Sequence, residues 1–149
     1  MSELRQADYE RLLAFRTALR QFLRWSEGEA KAAGLTPAQH QLLLAVRGHP
    51  HETGPTIGEL SQYLVSRHHS VVELVDRAAA AGLVQRERED EDHRLVRVHL
   101  TDEGEKRIEE LSRLHLEELR RLAPVLAPRG RPGRAPAGDP GDGGLTSAG

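Results

Sequence analysis

Two short stretches concentrate side chains suited to gripping a polyanion and reading its hydrogen-bonding edges. Arg67-His68-His69-Ser70, with Glu73 and Arg77 further along, opens the run SRHHSVVELVDRAAAAG over 66–82, and Asp92-His93-Arg94 closes the acidic segment EDEDHR. A guanidinium can donate two parallel bonds to guanine O6 and N7 or to a phosphate, and a carboxylate can accept from cytosine N4. Imidazole and hydroxyl groups serve base edges or backbone alike. Glu73 has a second option in Arg77 one turn on. Arg77 in turn can meet a phosphate, Asp76 or an acid of the segment that follows.

These residues need elements to present them. Within 66–82, Val71, Leu74, Val75 and Ala78 share one helical face and leave the polar residues on the others. Ser66 is the N-cap by residue type, a shift to Arg67 staying open, and Gly82 ends the helix after an alanine run of high helix propensity. Beyond Gly82 the apolar period changes from about 3.6 to 2. Val96, Val98 and Leu100 alternate with Leu95, Arg97 and His99, which predicts strands over 83–87 and 95–100 joined by a turn at 89–93. Upstream, Thr56-Ile57-Gly58-Glu59 is a capping box that opens a short helix through Leu60 and Leu64. Only a tight turn then remains before Ser66, as a helix-turn-helix requires.

A polar-tipped helix beside a β-wing is the arrangement that places one element in the major groove of DNA and another across the minor groove. In that frame Arg67, His68, His69 and Ser70 face base edges or phosphates. Arg94 is the candidate for minor-groove insertion, Asp92 orients it, and His93 reaches the backbone.

Around this lobe, assigned to about 36–101, stand two long helices. Over 8–33, Leu12, Phe15, Leu19 and Phe22 fall on a heptad-like seam with arginines on the other faces, and Gly34 is the stop. Thr36-Pro37-Ala38-Gln39 combines a capping box with proline at the first helical position, and Leu42, Leu43 and Val46 make the buried face of that second helix. After the hairpin, Thr101 with Asp102 and Glu103 caps a final helix. Along it Ile108, Leu111, Leu119, Leu122 and Leu126 recur until Pro124 and Pro128 interrupt. The fold class expected is mainly α with a small two-stranded β-wing, in one unit over 8–126. The proline, glycine and arginine-rich stretch 127–149 lacks the apolar residues to order itself and is expected to be a disordered tail.

Composition narrows the function. The 149 residues contain no cysteine, so disulfides, thiolate metal sites and thiol redox switches are out of reach. No window of 18 apolar residues suggests a membrane span, and a charged N-terminus rather than an apolar leader points to the cytoplasm. The net charge of -2, with six arginines against eight acids in 56–101, runs against a DNA reader by sum alone. The preference for arginine over lysine and the availability of His68, His69 and His93 for protonation beside phosphate run the other way. Eight scattered histidines raise a metal-responsive regulator with imidazole and carboxylate ligands as an alternative, but no helical ligand pair is found, and neither metal nor other cofactor is expected. No nucleophile elbow or Walker loop is present, so an enzyme is not expected. A protein-binding winged-helix adaptor without DNA activity is the other alternative.

The order of a long helix, GLTPAQHQLLLAV, PTIGELSQYL, SRHHSVVELVDRAAAAGLVQR and the Asp92-x-Arg94 wing followed by Leu100-Thr101 resembles the MarR family of bacterial transcriptional regulators over roughly 8–122. The resemblance implies a homodimer joined through its first and last helices, here by Leu12, Phe15, Leu19, Leu111, Leu119 and Leu122. It implies further a repressor of a pseudo-palindromic operator on double-stranded DNA, released by a small aromatic or lipophilic effector. Arg16, Phe22, Trp25 and His40 are the candidate lining of the effector cleft, with Phe22 open to a plain core role.

Overall fold

The computed structural model describes residues 2–89, 91 and 94–126. Asp92, His93 and the stretch 127–149 lie outside them. In chain order come α1 (Gln6–Ala32), α2 (Pro37–Gly48), α3 (Ile57–Leu64), α4 (His68–Ala80), β1 (Val84–Arg88), β2 (Val96–Leu100) and α5 (Asp102–Leu126). Five helices and one antiparallel hairpin are the mainly α architecture that the apolar periods imply.

Both capping boxes form. The Thr36 hydroxyl accepts from the Gln39 amide at 3.1 Å while the Gln39 side chain accepts from the Thr36 amide, and Thr56 and Glu59 repeat the exchange at the start of α3. The α4 boundary falls one residue later than a Ser66 cap would put it: Arg67 is the N-cap, and the Ser66 hydroxyl instead donates to the Leu64 carbonyl. At the other end of α4, the Gly82 and Leu83 amides donate to the Ala79 and Ala78 carbonyls. This closing turn takes up the Leu83 amide, leaving only its carbonyl to accept from Thr101, and β1 starts at Val84 and pairs Val84 with Leu100 through Arg88 with Val96.

The hairpin is also joined to the chain before α3. Thr56 bridges Arg97, and the Val98 amide donates to the Pro55 carbonyl at 2.9 Å. These non-local bonds add a third partial strand that no local pattern announced.

One core runs through the lobe and into the base of the long helices, built from Leu42, Leu43, Leu60, Val71, Val75, Val98, Ile108 and Leu111. Leu111 therefore departs from its expected place on a dimer seam. At 2% exposure it packs inside its own chain, because the first turns of α5 lie against the lobe and only later turns carry exposed leucines. The close approach is visible at Gly104, where a Cβ would sit 2.1 Å from the Leu83 carbonyl oxygen. α5 also continues through Pro124 to Leu126, where a missing amide so near the helix end removes little. No helix among the described residues is long and apolar enough to cross a membrane.

Candidate nucleic-acid interface

The turn between α3 and α4 is three residues long, and its first, Val65, adopts the left-handed conformation (φ 49°) as C-cap of α3. That sharp reversal leaves the first turn of α4 at the surface. Arg67, His68, His69 and Ser70 are all exposed, and none of their side chains has a hydrogen bond or ion pair among the described residues. Arg67 supplies no side-chain cap, so the first amides of α4 also keep their donors for an outside acceptor. The opposite face buries Val71, Val75 and Ala78, which fixes the rotation of the helix about its axis.

Further along α4 the charges pair internally. Arg77 reaches Glu73 at 3.7 Å, while Asp76 is held by Arg86 of β1 at 2.5 Å. Of the partners open to Arg77, Glu73 one turn back is the one it takes. Both of these side chains are well exposed, and such an i, i+4 pair is worth only about 0.5 kcal/mol, so DNA could displace it. Arg86 also donates to the Val72 carbonyl and so ties the hairpin to α4.

Arg94 is exposed in the turn that leads into β2. Two arginines not singled out from sequence share its hairpin. Arg88, at the end of β1, is exposed and lies on the same strand face as Arg86, a placement that the period of two could have shown. Arg97 is mostly covered and bonds to the Gly54 carbonyl at 3.0 Å, a contact set by tertiary packing alone.

The second predicted cluster sits where α1, α2 and α5 meet. Phe22 and Trp25 lie 6.0 Å apart by ring centroid, Trp25 and His115 4.8 Å, and His40 and His115 4.7 Å. Three of the four proposed cleft residues are thus brought together around His115, which had been counted only among scattered histidines. Arg16 is exposed on α1, and six residues of helix turn it about 120° away from Phe22. His115 Nδ1 lies 2.7 Å from the Leu111 carbonyl oxygen, which can only accept, so Nδ1 donates; Nε2 lies 2.7 Å from the Ser26 hydroxyl oxygen. His40, buried beside it, is held below the ordinary histidine range first by burial and then by repulsion from His115. Among the described residues no three histidine or acidic side chains converge as a metal site.

Comparison with known proteins shows what this frame is similar to. Residues 33–95, from the end of α1 to the wing, match the MarR family. Over these residues the chain is similar to that family, and the similarity stops short of half its length. The HTH-type transcriptional regulator YsmB of Bacillus subtilis is 41% identical over 56 residues, a stretch that spans 38% of either protein. Among solved structures, the MarR-family regulator AbsC of Streptomyces coelicolor superposes with a TM-score of 0.70 at 20% identity, with 86% of each chain covered. A mutant of Staphylococcus aureus MepR bound to an oligodeoxyribonucleotide gives 0.62 at 21%, covering 84% of this chain and 86% of that one. At such identities the structures report shared fold. They extend the MarR winged-helix likeness to both long helices, which lie outside the matched stretch.

Proposed function

We propose that the chain is a sequence-specific DNA-binding transcriptional regulator, a homodimeric repressor that sets two copies of α4 into successive major grooves of a pseudo-palindromic operator. The observation that carries this reading is the state of the first turn of α4. Arg67, His68, His69 and Ser70 are exposed and unengaged on a helix whose roll is fixed by its buried face, in a chain where most neighbouring cations are already paired. MepR, of the same fold, is known bound to an oligonucleotide.

In this reading Arg67 and the two histidines read bases or phosphates, Glu73 and Arg77 exchange their mutual pair for DNA groups, and Arg94 enters the minor groove beside Asp92 and His93. Leu12, Phe15, Leu19, Leu119 and Leu122 join the two protomers. A small aromatic or lipophilic effector enters by parting Trp25 from His115 at the α1–α2–α5 junction, shifting the spacing of the two α4 helices and releasing the operator.

The test is selection of duplexes from a random library with the purified chain, followed by anisotropy titration at several salt concentrations. A DNA reader enriches a two-fold symmetric sequence, and Arg67→Ala weakens binding to it about tenfold, the scale of one lost bidentate contact. Passage through a random-duplex column at low salt without retention would reject the reading in favour of a protein-binding adaptor.

A further inference from the structure

One side chain holds the root of the hairpin. Arg97 Nη1 donates to the Gly54 carbonyl at 3.0 Å, Nη2 donates to the Glu89 carboxylate at 3.5 Å, and Nη1 lies 3.9 Å from a Glu59 oxygen. Each acceptor belongs to a different part of the lobe: Gly54 to the loop before α3, Glu59 to the first turn of α3, and Glu89 to the outgoing arm of the hairpin. Glu59 is itself fixed by its capping exchange with Thr56, and His49 Nε2 stands 3.5 Å from its other oxygen. The backbone joins at the same place through the Thr56–Arg97 bridge. Arg97 Nε is buried without an acceptor among the described residues, so a terminal fork holds this guanidinium in place at the expense of its third donor position.

We propose that Arg97 is the positioning residue of the wing: its fork fixes the angle between the hairpin and α3, and so sets where Arg94 is carried. The inference rests on the DNA-binding reading above, in which Arg94 meets the minor groove. Arg94 stands three residues out from Arg97, about 10 Å at ~3.3 Å per residue. A tilt of about 10° at the root moves that point by about 2 Å, more than the whole range of hydrogen-bond distances. Backbone pairing at Thr56 and Pro55 alone leaves such a tilt open, because it is confined to one edge of β2. Arg97 closes it by engaging α3 and the opposite arm of the hairpin at once.

The experiment uses the full chain and a fluorescein-labelled duplex of about 30 base pairs, enough for two half-sites, carrying the sequence that the wild type enriches most from a random library. Arg94→Ala is expected to weaken binding about tenfold and to flatten the salt slope by about one unit, as for one lost phosphate contact. Arg97→Met is expected to weaken binding about tenfold and to flatten the slope by about the same unit, because it takes Arg94 off that contact. The double variant is then no more than about twofold weaker than Arg94→Ala alone, the coupling of residues that act through one another. Additive losses of about a hundredfold, or wild-type affinity in Arg97→Met, would overturn the assignment. Arg97→Lys, which keeps charge but loses the planar fork, behaves like the methionine variant; wild-type behaviour would mean that charge alone matters, and would equally overturn it. Where Arg97→Met does not fold, the lysine variant carries the series.

A second readout needs no DNA. Hydrogen exchange of amides in 84–88 and 96–100 is expected to speed up at least about tenfold in Arg97→Met while amides of α2 and α5 keep their rates, as local opening of one unit predicts. Unchanged exchange in the hairpin removes the clamp. Failure of the wild type to enrich any duplex removes the DNA reading instead, and the exchange result still decides whether Arg97 holds the wing.

Discussion

The rings of His40 and His115 meet at a tilt of 52° with centroids 4.7 Å apart, one from the lobe and one from α5. Both ring nitrogens of His115 have a partner, the Leu111 carbonyl on one and the Ser26 hydroxyl on the other. His40 is buried against it, and burial followed by the nearby His115 lowers its pKa. A charge on the His40 ring is therefore opposed at the place where α1, α2 and α5 join.

This gives a pH dependence with a definite sign. A histidine whose folded pKa lies below its unfolded value of about 6.5 binds more protons unfolded than folded as pH falls through that value. Its contribution to stability is complete above about pH 7, declines as pH falls from about 6.5 towards the folded pKa, and levels off below it. Urea midpoints measured from pH 7.5 to 5 should fall through this window, and His40→Asn should flatten the fall. An equal slope in the variant would assign the acid sensitivity elsewhere.

Gly104 tests the seam between lobe and stem. Its Cβ would meet the Leu83 carbonyl oxygen at 2.1 Å, and Thr101 and Leu83 are bonded backbone to backbone just beside it, so neither side can yield by a rotamer change. Gly104→Ala gains helix propensity yet is expected to lose about 2 kcal/mol net, as overpacking against fixed atoms does. A thermal melt shows whether the transition moves down; an upward shift would mean that α5 does not approach the Leu83 backbone so closely.

How much was legible in advance followed the range of the interactions. The Thr36–Gln39 and Thr56–Glu59 boxes, the closing glycine of α4 and the change of apolar period at the wing are patterns over a few residues, and each appears in the structure where the pattern lies. Arg97 with Gly54, and His40 with His115, join segments far apart in the chain. Nothing in either local stretch marks them. Leu111 shows a subtler limit: a leucine stripe has the same period whether its own chain or another covers it, so the inner part of the α5 stripe could not be told from the outer. Phe22 and Trp25 were found by residue type, and His115 was missed because a lone histidine carries no such signal.

Val65 holds the helix-turn-helix at a cost. It is the one non-glycine residue with positive φ among those described, it is β-branched, and it is 91% exposed, so no packing compensates the strain. A left-handed conformation costs an ordinary residue about 1 to 2 kcal/mol, and asparagine less. Val65→Asn should therefore stabilise the chain by roughly 0.5 to 1 kcal/mol. A higher urea midpoint at unchanged m-value is the expected result, and an unaltered midpoint would show that the turn is not strained.

The stems present the last question of assembly. Leu12 and Leu13 are 62% and 65% exposed, and Phe15, Leu19, Leu114, Leu116 and Leu119 add further apolar surface along α1 and the outer turns of α5. Large apolar side chains exposed along two helices are what an interaction surface presents, and a second copy would cover them with an identical set about a two-fold axis. Glutamate at such exposed helical positions costs the isolated fold little, since it removes no buried contact, but in a closed seam it buries a charge. Sedimentation at micromolar concentration should therefore give twice the chain mass for the wild type. Leu12→Glu/Leu119→Glu should give the single mass with its far-UV helicity retained, and should bind the selected duplex at least about tenfold more weakly through loss of the tethered second half-site. A wild type that stays single with duplex present would refute the paired arrangement.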